Sequence, residues 1–212
     1  MGEDMIRNFG VVIAICGALF VFGGETFAIW TFGLEADYGS GDEYTVDLKF
    51  GADEIAAEYD GDDMPDDEDD DTDYDDDECT GDDECEELTG LMVDKIQNLL
   101  YVVILAGFAA LYFLNEDDEE KGAMACLAMG GAGLLATAMF GLSFPEALED
   151  DTEIFEFLED WYELDVETSL FGTEDEKEDG IELSVSWRPD IAFALVGLSG
   201  ILGMAAYSEV KN

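Results

Sequence analysis

Three aspartates at alternate positions could bind a metal ion. Asp71, Asp73 and Asp75 lie in a nearly continuous run of acidic residues, and carboxylate oxygens are ligands that suit Ca²⁺. An EF-hand loop has Gly at its sixth position and Glu at its twelfth, where this chain has Asp76 and Asp82. The match is weak, so the pattern predicts no resident cofactor and at most loosely bound Ca²⁺ or other cations. The composition favours the alternative, a solvated polyanionic loop.

The four cysteines fall into two groups. Cys79 and Cys85 lie in the acidic segment CTGDDEC, and a nearby pair in a wet loop predicts a disulfide if that loop lies outside the cell. Two free thiols in a disordered segment are the alternative. Cys16 and Cys126 lie in apolar runs, where a thiol behaves as a small hydrophobe. Zinc is not expected, because the chain has no histidine and two thiols do not complete a tetrahedral site.

Two charged residues are predicted to lie within the membrane. Glu25 interrupts the apolar run Phe9–Leu34, and Lys95 lies in the first two turns of the next apolar helix. If these helices are antiparallel neighbours, both side chains lie at a similar depth and could form an ion pair. A double-mutant cycle without coupling would refute that pair. Alternatively, the first helix ends near Gly23 and Gly24, which places Glu25 among the lipid headgroups.

No set of side chains has the composition of a catalytic site. The sequence contains no histidine, no convincing nucleophile–base pair and no glycine-rich phosphate loop after a strand. Its 55 Asp and Glu residues are so numerous that none can be singled out as a general acid or base. The sequence therefore predicts that the protein is not an enzyme.

Long apolar segments must position all of these residues. The stretch 122–144 contains no Asp, Glu, Lys, Arg, His, Asn or Gln, whereas a water-soluble helix of this length would have a polar face. About 20 apolar residues in a helix cross a bilayer core of about 30 Å. We therefore predict a membrane-embedded all-α bundle of four transmembrane helices, at residues 9–31, 91–114, 122–144 and 191–208. Trp30 is placed in the interfacial aromatic belt, and Pro145 marks the end of the third helix.

Small residues are concentrated in the third and fourth segments. Gly130 and Gly133 lie in the third segment, and Gly197, Gly200 and Gly203 lie in the fourth. Small side chains let helix backbones approach closely in lipid. The pattern favours packing within one bundle over an interface between copies.

Between the helices, apolar residues alternate at every second position, which predicts strands with one buried face. The predicted strands cover 32–38, 44–50, 162–170 and 181–187, joined by turns at 39–42 and 172–180. Because an isolated hairpin is marginal in water, the two hairpins are predicted to form one small antiparallel sheet of about four strands. Residues 55–59 could add a helix or a strand, and a short amphipathic helix is predicted within 145–162. The acidic segment 60–87 is predicted to be disordered in dilute conditions.

The charge balance limits the partners and the environment. Seven Lys and Arg residues stand against 55 Asp and Glu, which gives a formal net charge of −48 over 212 residues. Self-repulsion at this charge destabilises a compact state, and high salt screens it. The composition therefore predicts a protein of a salt-adapted, archaeal organism, and an acidic surface in seawater is the alternative. Nucleic acid is excluded as a partner because no basic patch is present to neutralise phosphates.

Loop lengths and the cysteine pair set the predicted orientation. Residues 1–8, the short loop 115–121 and residues 209–212 are predicted to be cytoplasmic. The large acidic loops 32–90 and 145–190 are predicted to be extracellular. Three basic residues on the first side against two on the second give weak support.

This arrangement resembles the claudin-like four-transmembrane proteins. In that family a strand follows the first helix, a larger first loop carries a cysteine pair, and a strand from the second loop enters the fourth helix. The corresponding pieces here are Trp30–Phe50, Cys79 with Cys85, and Ile181–Trp187. The resemblance is one of topology: the family's W-GLW-C-C signature is absent, since Gly33-Leu34 is followed by Glu35. The resemblance implies adhesion or paracellular sealing.

The sequence leaves three functions open. The favoured one is a structural or interaction protein of the cell membrane, whose extracellular sheet contacts a protein partner or a second copy of the chain. An accessory subunit of a larger membrane assembly cannot be separated from it. The alternative is a cation pore or transporter subunit, in which Glu25 and an acidic vestibule attract cations.

Overall fold

The computed structural model of the chain describes residues 2–22, 28–37, 43–52, 54–61, 70–73, 86–151, 170–178 and 181–211. These residues form four helices and six strands. Helix α1 is Gly2–Phe20, and helix α2 consists of Glu86–Leu91, a π-helical stretch Met92–Gln97 and Asn98–Asn115. Helix α3 is Glu119–Asp151, and helix α4 is Ile191–Lys211.

Three of the helices are long and apolar enough to cross a membrane: Glu87–Asn115, Glu119–Leu148 and Ile191–Val210. The apolar part of α1, Arg7–Phe20, is shorter. The predicted extent of the first helix, 9–31, is wrong at its end, because the helix stops at Phe20 and Trp30 begins a strand. Trp30 is only 1% exposed, so it packs in the core and not in an interfacial belt.

The helices pack side by side. Helix α3 contacts α2 and α4, and α1 also contacts α2 and α4. Their facing sides are lined with buried apolar residues such as Val11, Ala18, Leu100, Met129 and Val196. Wherever the bundle is surrounded by water, removing these apolar side chains from water is the main contribution to its stability.

The connection between α2 and α3 is short and locally stabilised. Asp117 adopts a positive φ of 59°, which Asp tolerates better than most residues. Asp118 lies just before α3, where its Oδ1 accepts a bond of 3.3 Å from the Lys121 backbone N–H and its Oδ2 lies 2.6 Å from Lys121 Nζ. These two bonds to Lys121 hold the pKa of Asp118 below its usual value. The tight turn makes α2 and α3 antiparallel neighbours.

Helix α3 continues beyond the predicted stop at Pro145 and ends at Asp151. Proline inside a helix removes one backbone hydrogen bond and costs about 3 kcal/mol or more. Phe144, Ala147 and Leu148 are buried around it, and their burial offsets that cost. Tertiary packing therefore overrides the local stop signal.

The six strands form one antiparallel sheet in the order β4-β3-β2-β1-β6-β5. The strands are β1 Trp30–Asp37, β2 Glu43–Phe50, β3 Glu54–Gly61, β4 Asp70–Asp73, β5 Gly172–Glu178 and β6 Ile181–Pro189. The sheet thus combines both loops, as the sequence predicts. Its six described strands include three of the four predicted ones, and β3, β4 and β5 are additional. Residues 55–59 belong to β3 and do not form a helix.

The two edge strands correct the sequence-based interpretation. Gly172–Glu178 is a strand, although its charged sequence was predicted to be a turn. Asp70–Asp73 is also a strand, inside the segment predicted to be disordered. An edge strand pairs with only one neighbour, so it does not need an apolar pattern. Charged residues at such an edge also discourage pairing with another chain. The predicted strand 162–170 and the predicted amphipathic helix fall largely outside the described residues.

Candidate interaction surface on the sheet

A cluster of aromatic rings joins the sheet to the end of the helix bundle. The Trp30 ring packs edge-on against Phe144 of α3 at 5.0 Å and against Phe50 of β2 at 5.4 Å between centroids. Phe144 in turn stacks on Phe140 at 4.4 Å. Trp30 Nε1 donates a hydrogen bond of 2.9 Å to the carbonyl of Leu170. Because a buried indole N–H needs such a partner, this bond fixes the ring's orientation and the sheet's position.

Polar contacts tie the sheet to the ends of α2 and α4. Gln97 Nε2 donates to the Ala52 carbonyl at 2.9 Å, which links α2 to the chain after β2. Asp190 precedes α4 and accepts from the Ile191 backbone N–H at 2.5 Å and from Thr31 Oγ1 at 3.0 Å. Asp190 therefore contacts the first residue of α4 and bonds β1 with the same carboxylate. The sheet is held firmly on one end of the helices.

Strand alternation separates an apolar face from a polar face. The apolar face lies toward the helices and includes Phe32, Leu183, Val185 and Trp187, all buried. The opposite side, called here the polar face, carries hydroxyl, acidic and a few basic side chains. Its residues include Thr31, Gly33, Glu35 and Asp37 of β1, Thr45, Asp47 and Lys49 of β2, Glu58 and Asp60 of β3, Thr173 and Asp175 of β5, and Glu182, Ser184, Ser186 and Arg188 of β6. Ala56 of β3, opposite Lys49, shares this register but is only 3% exposed.

At the centre of the polar face, Gly33 has no side chain, and its neighbours occupy that space. A Cβ added there would lie 2.8 Å from Asp47 Oδ1 and 3.2 Å from Ser186 Oγ. Asp47 and Ser186 flank Gly33 in the ladder, so their oxygens lean over the glycine from both sides. The surface can therefore accept hydrogen bonds from a partner at its centre.

Some acidic side chains of the polar face form an ion pair or a hydrogen bond with a neighbouring side chain. Asp47 lies directly opposite Glu58, a like-charge pairing that destabilises the ladder. Lys49 forms an ion pair with Glu58, which reduces this repulsion. Ser184 Oγ donates to Asp175 Oδ1 at 2.6 Å. The surface as a whole remains acidic and suits a cationic partner or hydrated cations.

The predicted metal and disulfide residues lie at or beyond the sheet edge. Asp71 and Asp73 are in β4, whereas Asp75, Cys79 and Cys85 lie outside the described residues. Among the residues that the structure describes, no three or more His, Cys, Asp or Glu side chains are grouped so as to hold a metal ion. The cation site and the disulfide therefore stay predictions.

The predicted Glu25–Lys95 pair also stays a prediction. Glu25 lies outside the described residues. Lys95 is exposed in the π-helical part of α2, two residues before Gln97, which bonds the sheet end. Lys95 therefore lies at the level where the helices meet the sheet.

The predicted packing glycines lie between α3 and α4. A Cβ on Gly133 would lie 2.8 Å from Gly200 Cα, and one on Gly203 would lie 2.5 Å from Gly130 N. The two backbones are thus in direct contact at both pairs. Gly197 is looser, since its Cβ would lie 3.6 Å from the Thr137 side chain.

Sequence reasoning missed a second close contact between helices. Ser199 is 1% exposed, and its Oγ lies 2.9 Å from the Ala14 carbonyl of α1 and 2.8 Å from the Leu195 carbonyl. A Cβ on Gly17 of α1 would lie 2.9 Å from this hydroxyl. A lone serine in an apolar helix was the available signal, because an embedded hydroxyl needs an acceptor. The hydrogen bond from Thr31 to Asp190 has no comparable signal in the sequence.

Comparison with known protein families and with curated proteins gives no match for this chain.

Proposed function

We propose that the chain is a multi-pass protein of the cell membrane whose four helices cross the bilayer and whose sheet is an extracellular interaction surface. One observation carries the proposal: large apolar side chains are exposed around the helices. Leu142 is 79% exposed, Leu105 69% and Met124 66%. Apolar surface of this extent is costly in water, and lipid would cover it.

Helix α1 is proposed as the fourth crossing, although its apolar part is short. Its inner side is buried against α2 and α4, while Phe9, Leu19 and Phe20 are 64%, 48% and 51% exposed on its outer side. Its outer side is therefore as apolar as that of its neighbours. A short crossing is accommodated by thinning of the bilayer or by tilt of the neighbouring helices.

Charge and loop length support the orientation. The short α2–α3 turn lies at the end of the bundle opposite the sheet, as do the first residues of α1 and the last residues of α4. Arg7, Lys121 and Lys211 are all at that end. We therefore infer that this end is cytoplasmic and that the sheet and its acidic segments are outside.

The interaction role follows from how the polar face is built. It is fixed to the bundle by the Trp30 cluster and the Asp190 bonds, so a partner meets a surface that is already ordered, which lowers the entropic cost of binding. Its charge suits a protein partner with a basic patch, or a second copy joined through cations. Within the described residues, Ser199 is the one polar residue buried as a whole in the bundle. The other buried polar atoms that the structure describes there, Arg7 Nε and Asn8 Oδ1, lie near the proposed cytoplasmic end. No polar path along the described part of the bundle therefore favours the cation-pore alternative.

Site-specific photo-crosslinking in native membranes tests this role. A benzophenone amino acid at Ser186, exposed on the polar face, should yield a discrete protein adduct at the mass of the chain plus its partner. The matched control is Phe108, which is 55% exposed on α2 and should give only lipid adducts. A chain recovered as an isolated monomer, with no protein adduct from Ser186, would rule out the interaction role.

A further inference from the structure

Lys49, Thr31 and Arg188 lie side by side on the polar face, in the row of residues nearest the helices. This row differs in charge from the rest of the face. Basic residues number seven in the whole chain, yet Lys49 and Arg188 both lie in this row, on either side of Thr31. Adjacent strands are about 4.8 Å apart, so the two backbones are separated by about 10 Å. The next row carries Asp47 and Ser186, and acidic residues dominate beyond it.

The two basic residues of this row are in different states. Lys49 is ion-paired with Glu58, and its side chain is 22% exposed. Arg188 is exposed, and its guanidinium makes no hydrogen bond or ion pair with any residue that the structure describes. The carboxylate closest in sequence, Asp190, is already bonded to Thr31 and to the start of α4. In so acidic a chain, Arg188 is thus available to an anion from outside.

Arg188 lies at the boundary between polar and apolar surface. It is three residues before Ile191, where α4 begins and where the side chain is 53% exposed. Phe171 is 70% exposed and precedes Gly172, which pairs with Trp187, so Phe171 lies next to Arg188 in the ladder. Acidic surface lies on one side of Arg188 and exposed apolar side chains lie on the other. This order matches the depth of the lipid phosphates in a bilayer.

We propose that Arg188 binds the phosphate of an anionic lipid headgroup on the sheet side of the membrane. The proposal rests on the membrane function above and adds a lipid class and the residue that selects it. A guanidinium can donate two parallel hydrogen bonds to a phosphate. In a zwitterionic lipid the headgroup's own cation competes for that phosphate, whereas an anionic lipid has no such cation. Phe171 and Ile191 contact the apolar part of the same lipid. The acidic sheet repels anions in solution, so a phosphate held in the bilayer plane has an advantage over a soluble one.

The test uses the full chain in vesicles of phosphatidylcholine with a minor share of phosphatidylglycerol. Spin-labelled forms of both lipids report which one is motionally restricted at the protein surface. The unsubstituted chain should prefer phosphatidylglycerol, and Arg188→Gln should lower that preference about fivefold, the effect of one basic residue near an anionic surface. Arg188→Lys should keep part of it. Lys177→Gln, which removes the same charge near the far end of β5, should leave it unchanged.

Each outcome decides a different point. A chain that never enters the vesicles contradicts the membrane function itself. A chain that enters them but shows the same preference in Arg188→Gln and Lys177→Gln overturns the headgroup site. Inorganic phosphate that releases the restricted phosphatidylglycerol at matched ionic strength would replace the lipid site with a soluble-anion site. Loss of preference in Arg188→Gln alone supports the proposal.

Discussion

Replacing Trp30 with alanine should lower the free energy of unfolding by about 3–5 kcal/mol, the usual cost of truncating a buried aromatic residue. Trp30 is 1% exposed and contacts rings from both the sheet and α3. Its removal leaves a cavity where the sheet meets the bundle, so the sheet should detach before the helices unfold. Reversible denaturation in detergent micelles measures the free energy of unfolding. The helical circular dichroism signal follows the transition, because it does not depend on the presence of Trp30.

Two further variants separate the causes of that effect. Trp30→Phe keeps most of the apolar volume but loses the bond to the Leu170 carbonyl, and it should cost about 1 kcal/mol for the bond plus a smaller packing term. Phe171→Ala removes an aromatic side chain that is 70% exposed and should cost much less than Trp30→Ala. Equal losses for Trp30→Ala and Phe171→Ala would contradict the role assigned to the junction.

The second large effect is expected at the contact between α3 and α4. Gly133→Ala should destabilise the protein by about 1–3 kcal/mol, because its new methyl group would meet Gly200 backbone atoms at 2.8 Å. Backbone cannot move aside as a flexible side chain can, so the two helices must separate. The same denaturation assay measures the change, together with the thermal stability of the helical signal.

Gly131 provides a matched control in the same helix. A Cβ at Gly131 meets no atom within 4 Å, and alanine is a better helix former than glycine by about 1 kcal/mol. Gly131→Ala should therefore be neutral or stabilising. If both substitutions were neutral, α3 and α4 would not be in backbone contact, and the close packing of the two helices would be wrong.

Strong periodicity made part of the fold predictable. The apolar stretch 122–144 identified α3, and alternation identified most of β1, β2 and β6. The edge strands β4 and β5 have no apolar alternation to detect, because an edge position with a single neighbour accepts charged side chains. β4 pairs with the free backbone edge of β3, and β5 pairs with that of β6. The local sequence of an edge strand gives no sign of such a free edge elsewhere in the chain.

The ends of the helices were also harder to predict than their existence. Pro145 is a local stop signal, but burial of Phe144 and Leu148 carries α3 past it. The apolar run that includes Trp30 predicted one continuous helix, whereas Trp30 is a buried residue at the start of β1. Gly23 and Gly24 were the available sign of an earlier helix end. At the end of α3, tertiary burial, which depends on distant residues, decided the boundary.

The candidate surface was predictable in character but not in detail. Composition alone indicates an acidic exterior, and alternation indicates which side of each strand is polar. The position of Gly33 between Asp47 and Ser186 depends on ladder register, which joins residues more than 150 positions apart. The availability of Arg188 depends on Asp190 being bonded elsewhere, and this appears only in three dimensions.

The central claim is that lipid, not water, surrounds the helices. Spin labels at Leu105, Leu142 and Ile201, each at least 60% exposed on α2, α3 and α4, test it in reconstituted vesicles; a label at Ser186 on the polar face is the reference. We expect collisions with dissolved oxygen to exceed those with a water-soluble nickel complex at the three helix positions, and the reverse at Ser186. Equal access of the nickel complex to all four positions in these vesicles would contradict the account.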